Sequence, residues 1–279
     1  RARGRIWRIR HRDQARTVPP DLTRLGDADV LAYVGGANAL VSRLAWLELI
    51  DRRATGLVPT LRTLALDPAV STDRRLGALW AWEGLDRIST ASLTTLARDP
   101  VPALRREALR IAAHQGLSDG EFAQVAEGRA DDPHPSVRAA LGDALRRIPS
   151  AGAGTVRNAT QLARAPLSTG SVWERYEREF ERYLARWAME VNADATRAYL
   201  ASTAGRALPI ESRLLALLAL GDRPAAQELA RQIPRLERPV AEEEVRLLVA
   251  HLGEGSVRGA LLAAIASPLH RPSTVRSVV

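Results

Sequence analysis

The residues of this chain that could do chemistry are few, and their spacing suits little of it. The five histidines are His11, His114, His134, His251 and His270. No two have metal-ligand spacing on a common helical stretch. Cysteine is absent, which excludes disulfides, thiolate zinc sites and covalent haem attachment within the 279 residues. Met189, the sole methionine, lies in an amphipathic stretch and reads as packing rather than as a haem ligand. "GEGSVRG", Gly253 to Gly259, has the look of a phosphate loop. No strand precedes it, so Ser256 reads better as a helix N-cap. Glu242, Glu243 and Glu244 cluster in the first turn of a helical stretch, where acids offset the positive helix end. There is no nucleophile elbow and no Ser–His–acid set. No catalytic, cofactor-binding or metal-binding residue is assigned. The segment is expected not to be an enzyme, and no cofactor is expected.

What does recur is a turn followed by an arginine. Asp132-Pro133 precedes Arg138, Asp99-Pro100 precedes Arg105, and Asp67-Pro68 precedes Arg74 with one extra residue. A degenerate copy has Asn38 and Arg43. The arginines stand 31, 31 and 33 residues apart, a step that marks stacked supersecondary units of two helices each. Apolar residues follow helical periodicity after each turn: Val137, Ala140, Leu141, Ala144, Leu145 and Ile148 in one unit, Leu104, Ala108, Ile111 and Ala112 in another. The Asp is expected to cap the second helix of its unit, with the Pro in that helix's first turn. The arginine is expected to reach from that helix to acids or carbonyls at the inter-helix turns.

The forty basic residues are all arginine, against 32 acids, giving a formal net charge of +8. Arginine suits bidentate phosphate contacts, and it also accumulates through genomic base composition alone. No signal peptide or membrane span is visible, and the chain reads as a segment of something longer.

The elements that would position these residues are helices nearly throughout. Residues 1–13 read as a lone β-strand, "GRIWRI" at its centre, and residues 14–26 as a linker and entry turn. Residues 27–149 read as four repeats and 150–170 as a loop and linker helix. Residues 171–267 read as further helix pairs, and 268–279 as an exit linker. Ser118 with Glu121, and Ser171 with Glu174, form capping boxes. The second box opens a long helix with Glu174–Arg178 and Arg175–Glu179 as outer i,i+4 pairs. Its stripe of Trp173, Tyr176, Phe180, Tyr183, Leu184, Trp187 and Val191 is expected to pack into the array. Trp80 and Trp82, two apart on one helix, cannot share a face, so at least one is expected to be buried.

The Asp-Pro turn followed by Val-Arg or Leu-Arg resembles the HEAT repeat in its bacterial form. The fold class expected is an all-α HEAT-repeat α-solenoid, a right-handed superhelix of antiparallel helix pairs, with a short N-terminal strand remnant. Residues 21–115 are similar to the HEAT region of large exported bacterial proteins of planctomycete type. In that family a PQQ-dependent sugar-dehydrogenase-like β-propeller precedes the repeats, and a c-type cytochrome domain often follows. "GRIWRI", Gly4 to Ile9, resembles the last propeller strand, and "FERYLARWAME", Phe180 to Glu190, a further family helix. The resemblance implies a periplasmic or cell-surface location and a non-catalytic scaffold that links redox domains or binds a protein partner, as a monomer. The competing reading is a nucleic-acid-binding, cytoplasmic HEAT protein similar to the alkylpurine DNA glycosylases, with Trp46, Trp80 and Trp82 as candidate aromatics.

Overall fold

The computed structural model describes residue 13, residues 18–148 and residues 151–278. The strand expected within residues 1–13 lies outside them. The described residues hold seventeen α-helices, four short 3-10 turns and no strand, so the fold is all-α. The chain divides into two compact units between Arg87 and Ile88.

The first unit holds α1 (Asp27–Tyr33), α2 (Ala39–Asp51), α3 (Val58–Leu66) and α4 (Thr72–Leu85). Asn38 starts α2 by accepting from the amides of Leu40 and Val41, at 3.1 and 3.2 Å. α1 packs on α2, α2 on α4, and α3 on α4. The turn after α1 lies against the α4 backbone. Gly35 has φ +72°, and a Cβ there would stand 2.1 Å from the Arg74 Cα. No other residue type fits that contact. The entry turn is fixed in place: Leu22 is buried, and Arg52, the C-cap of α2, donates to the carbonyls of Leu22 and Leu25 and to Glu48. Trp82 is buried, while Trp80 is half-buried with its ring 5.9 Å from that of Trp46.

The second unit runs through α5 (Thr90–Ala97), α6 (Pro102–His114), α7 (Asp119–Ala126), α8 (Pro135–Leu145), α9 (Ala153–Leu162), α10 (Val172–Val191), α11 (Ala193–Ala201) and α12 (Thr203–Arg206). It continues with α13 (Ile210–Leu220), α14 (Arg223–Gln232), α15 (Glu242–Ala250), α16 (Gly255–Ala266) and α17 (Arg271–Val278). Helices tend to pack on their sequence neighbour and on the helix two further along. α5 meets α6 and α7, α7 meets α9, and α9 meets α11. On the other side α6 meets α8, α8 meets α10, and α10 meets α13. The pattern continues through α13·α15, α14·α16 and α15·α17. The buried residues between them are mostly Leu, Ala, Val and Ile, the types that bury most readily.

Three stretches differ from the sequence expectation. Residues 150–170 include α9, which packs on α7, α8, α10, α11 and α13 and so is part of the second unit's packed interior as well as a connection. Its N-terminus lacks a side-chain cap of its own, because Gly152 is the N-cap residue. Asp119 at the start of α7 supplies one from another helix, accepting from the amides of Gly152, Gly154 and Thr155 and from the Thr155 hydroxyl. The expected exit linker holds α17, which packs on α15 and α16 and buries Thr274 completely. Ser256 falls inside α16, whose N-cap is Glu254. Among the described residues no helix is long and apolar enough to cross a membrane.

Candidate functional site

The Asp-Pro turns are built differently from a simple cap. Asp67, Asp99 and Asp132 each accept a hydrogen bond from the amide two residues on, at Ala69, Val101 and His134. These are Asx turns, which set the chain direction ahead of the helix. The N-cap residues of α6 and α8 are Val101 and His134, and Pro102 and Pro135 occupy the first helical position. Pro68, Pro100 and Pro133 therefore lie in the turn itself and are exposed. The sequence reading placed the cap two residues too early because Asp-Pro is also a common helix opening.

Aligning the helices by their N-caps corrects the arginine series. Arg105 and Arg138 are each the fourth residue after the N-cap. The equivalent residue in α4, after Ser71, is Arg75 rather than Arg74. Arg75 is buried, and its Nε donates to the Ala65 carbonyl at 3.1 Å. Arg74 instead donates to the Val34 carbonyl at 2.9 Å. In α2 the position is Ser42, whose hydroxyl accepts from the Gly35 amide at 2.8 Å, and Arg43 next to it is exposed. In α13 it is Arg213, which sequence reasoning missed because no Asp-Pro precedes it. Arg213 donates to the Gly205 carbonyl at 2.7 Å and pairs with Glu228.

Arg105 and Arg138 make the two best-formed rungs. The Arg105 guanidinium donates from Nη1 to the carbonyls of Asp99 and Pro100, at 2.9 and 3.0 Å. It also grips Asp132 of the next turn through Nε and Nη2, both at 2.7 Å. Both residues are buried. Arg129 adds a third donor to Asp132 at 3.1 Å. Burial pushes the Asp132 carboxyl up, but the bonds from Arg105 and from the His134 amide outweigh it and hold its pKa below the usual carboxylate range. Arg138 repeats the geometry two helices later, on α8: Nη1 donates to the Asp132 carbonyl at 2.6 Å and Nε to Glu181 of α10 at 2.7 Å. Glu181 is 1 % exposed and also accepts from Arg164 at 3.1 Å. The rungs therefore tie α6 to the turn before α8, and α8 to α10.

A further junction sits at the other end of the unit. Arg238 pairs through its planar fork with Glu211 of α13 and Glu244 of α15. Burial opposes its charge, and the bonds from Glu244 and Glu211 overcome that and raise its pKa. Glu243 pairs with Arg186 of α10, and Glu242 with Arg246. The three first-turn acids of α15 thus serve ion pairs as well as the helix dipole.

The aromatic residues of α10 lie opposite to expectation. Trp173, Tyr176, Phe180 and Tyr183 are 67 %, 58 %, 41 % and 56 % exposed, and Val191 is exposed as well. The rings run as a continuous stripe with neighbouring centroids 5.7, 6.2, 6.3 and 5.9 Å apart from Trp173 to Trp187. Trp187 is half-buried, with the Arg146 guanidinium 4.1 Å over its ring. The buried face is Glu181, Leu184, Ala185, Ala188 and Met189. It is closely fitted: a Cβ on Gly142 of α8 would stand 2.7 Å from the Leu184 Cβ. Both capping boxes form, at Ser118–Glu121 and Ser171–Glu174. Glu174 bonds Ser171, while Arg178 turns inward to the Ala165 carbonyl and Glu181.

No group of three or more metal-ligating side chains is brought together among the described residues. His134 bonds Ser136, His251 approaches the Gly221 carbonyl, and His270 is buried. His11 lies outside the described residues. No family model, no curated protein and no solved structure matches the chain.

Proposed function

We propose that this segment is a non-catalytic α-solenoid scaffold of HEAT type that presents a protein-interaction surface. The observation that carries the reading is the use made of arginine. Arg75, Arg105, Arg138, Arg213 and Arg238 all spend their donors on turn carbonyls or carboxylates inside the chain. Such rungs set the spacing and register of successive helix pairs, which is what an extended scaffold requires. The aromatic stripe on α10 is the exposed feature left over, and it has the residue types of an interface core. The wider reading rests on sequence resemblance alone. It places the segment between a propeller dehydrogenase-like domain and a cytochrome c-like domain of an exported protein.

The basic composition supports a second reading, a nucleic-acid-binding protein. A salt titration separates the two. Fluorescence anisotropy with labelled single-stranded and duplex oligonucleotides should detect weak binding at low salt that is lost at physiological salt. Tight binding that persists at physiological salt, or base release from an alkylated duplex, would replace the scaffold reading.

A further inference from the structure

Building on the reading of the segment as an interaction module, we propose that the α10 stripe is the seam of an antiparallel pairing with α10 of a second copy of this chain. Trp173, Tyr176, Phe180, Tyr183 and Trp187 follow one another at steps of three, four, three and four residues. That 3.5-residue period keeps a seam facing a partner helix along its whole length. Residues 171–176 are exposed on every side, so the N-terminal end of α10 stands clear of its own unit. The sequence expectation was a monomer with this stripe packed as core, and the rings are instead in solvent.

Charge selects the occupant and the register. Glu179 and Arg186 lie on one flank of the stripe, seven residues apart. One antiparallel register sets Phe180 over Tyr183 of the second copy and Tyr176 over its Trp187. Glu179 of each copy then comes beside Arg186 of the other, twice by symmetry, in exchange for the looser Arg182 contact of Glu179 and a share of the Arg186 bonds to Glu190 and Glu243. Sliding by one heptad toward Trp173 brings Glu179 against Glu179. A parallel pairing sets Glu179 beside Leu184, which is buried within its own chain. A nucleic-acid strand would need a row of cations along the rings. Arg146 and Arg182 beside them are held by Asp143 and by the Arg164 carbonyl, which leaves Arg186 alone rather than a row.

The exposed rings offer on the order of 100 Å² each, so the patch falls short of the roughly 800 Å² per partner of a standard interface. The dimer is therefore weak, with dissociation expected within the micromolar range. Sedimentation velocity on the full chain, across concentrations from about 1 to about 200 μM, reads this directly. The mass should rise from 30.4 kDa toward twice that value. Phe180→Glu and Tyr176→Glu should each abolish the rise while the helical circular dichroism stays at the wild-type level. Glu179→Arg and Arg186→Glu should each weaken the dimer at least tenfold, because each makes the flank like-charged. An equimolar mixture of those two variants should dimerise, because every cross pair is then opposite in sign. A wild-type chain that stays at 30.4 kDa throughout overturns the proposal, as does a dimer indifferent to both aromatic variants. A mixture that stays monomeric overturns the register. None of these outcomes touches the scaffold reading, which falls separately on salt-resistant oligonucleotide binding.

Discussion

Arg43 and Arg105 hold the same place in the sequence repeat and have opposite fates. Arg105 is buried against Asp132 and two carbonyls, whereas Arg43 points into solvent beside Ser42. Arg43→Ala is accordingly expected to shift the unfolding free energy by less than about 0.5 kcal/mol. Arg75→Met should cost about 1 to 3 kcal/mol, because it strips a buried carbonyl of its donor. Urea denaturation of the two variants checks the contrast. The carboxylates give a pH signature. Asp132 and Asp119 both have pKa values lowered in the folded chain, burial opposing the shift and hydrogen bonds from Arg105, Thr155 and backbone amides prevailing. The unfolded chain takes up protons first, at about pH 3.9. Their stabilisation is thus complete above that value and is lost as pH falls through the folded pKa values. The urea midpoint should decline steeply below about pH 4, and less steeply in Asp132→Asn. At this scale the sequence was partly legible. The Asp-Pro and Arg types pointed to the turns, but the extra residue in one unit displaced the series from Arg75 to Arg74. Arg213 carried no signal because no Asp-Pro precedes it, and Glu181 carried none because its partner Arg138 is remote in sequence.

At the scale of single elements, α9 and α10 show what periodicity can and cannot reveal. α9 takes its cap from Asp119, some thirty residues upstream, so no local motif announces its start. Asp119→Ala should cost about 1 kcal/mol. Hydrogen exchange should quicken at Gly154, Thr155 and Val156 while the amides of α13 stay protected. For α10 the helix and its capping box are legible in the sequence, and the face that packs inward is not. An amphipathic pattern identifies the greasier face, and tertiary packing decided otherwise. The small residues Ala185 and Ala188 share the buried face with Leu184, which lies tight against Gly142 of α8. Glu181, charged and hence unpromising as core, is buried because Arg138 and Arg164 neutralise it. Gly142→Ala should cost about 1 to 3 kcal/mol by forcing α8 and α10 apart, seen as a lowered thermal midpoint. α17 escaped notice because the two prolines near its start, Pro268 and Pro272, read as linker.

Across the molecule, helix content was legible because caps, turns and apolar periods agree with one another along most of the chain. The meaning of its basic charge was not. A surplus of eight positive charges says nothing about where each guanidinium goes, and many of those in the array go to neighbouring turns and helices. A buried ion pair contributes little net stability over an apolar substitute, yet breaking one partner leaves an uncompensated charge. These arginines act as a framework between helices rather than as a surface for phosphate. A double-mutant cycle on Arg105 and Asp132 tests that role most directly, using Arg105→Met, Asp132→Asn and the pair. Asp132→Asn alone should lose about 3 kcal/mol, and the double variant should lose far less than the two single losses added, with a coupling of at least about 2 kcal/mol. Single losses below about 0.5 kcal/mol that simply add would show that the rung holds nothing together.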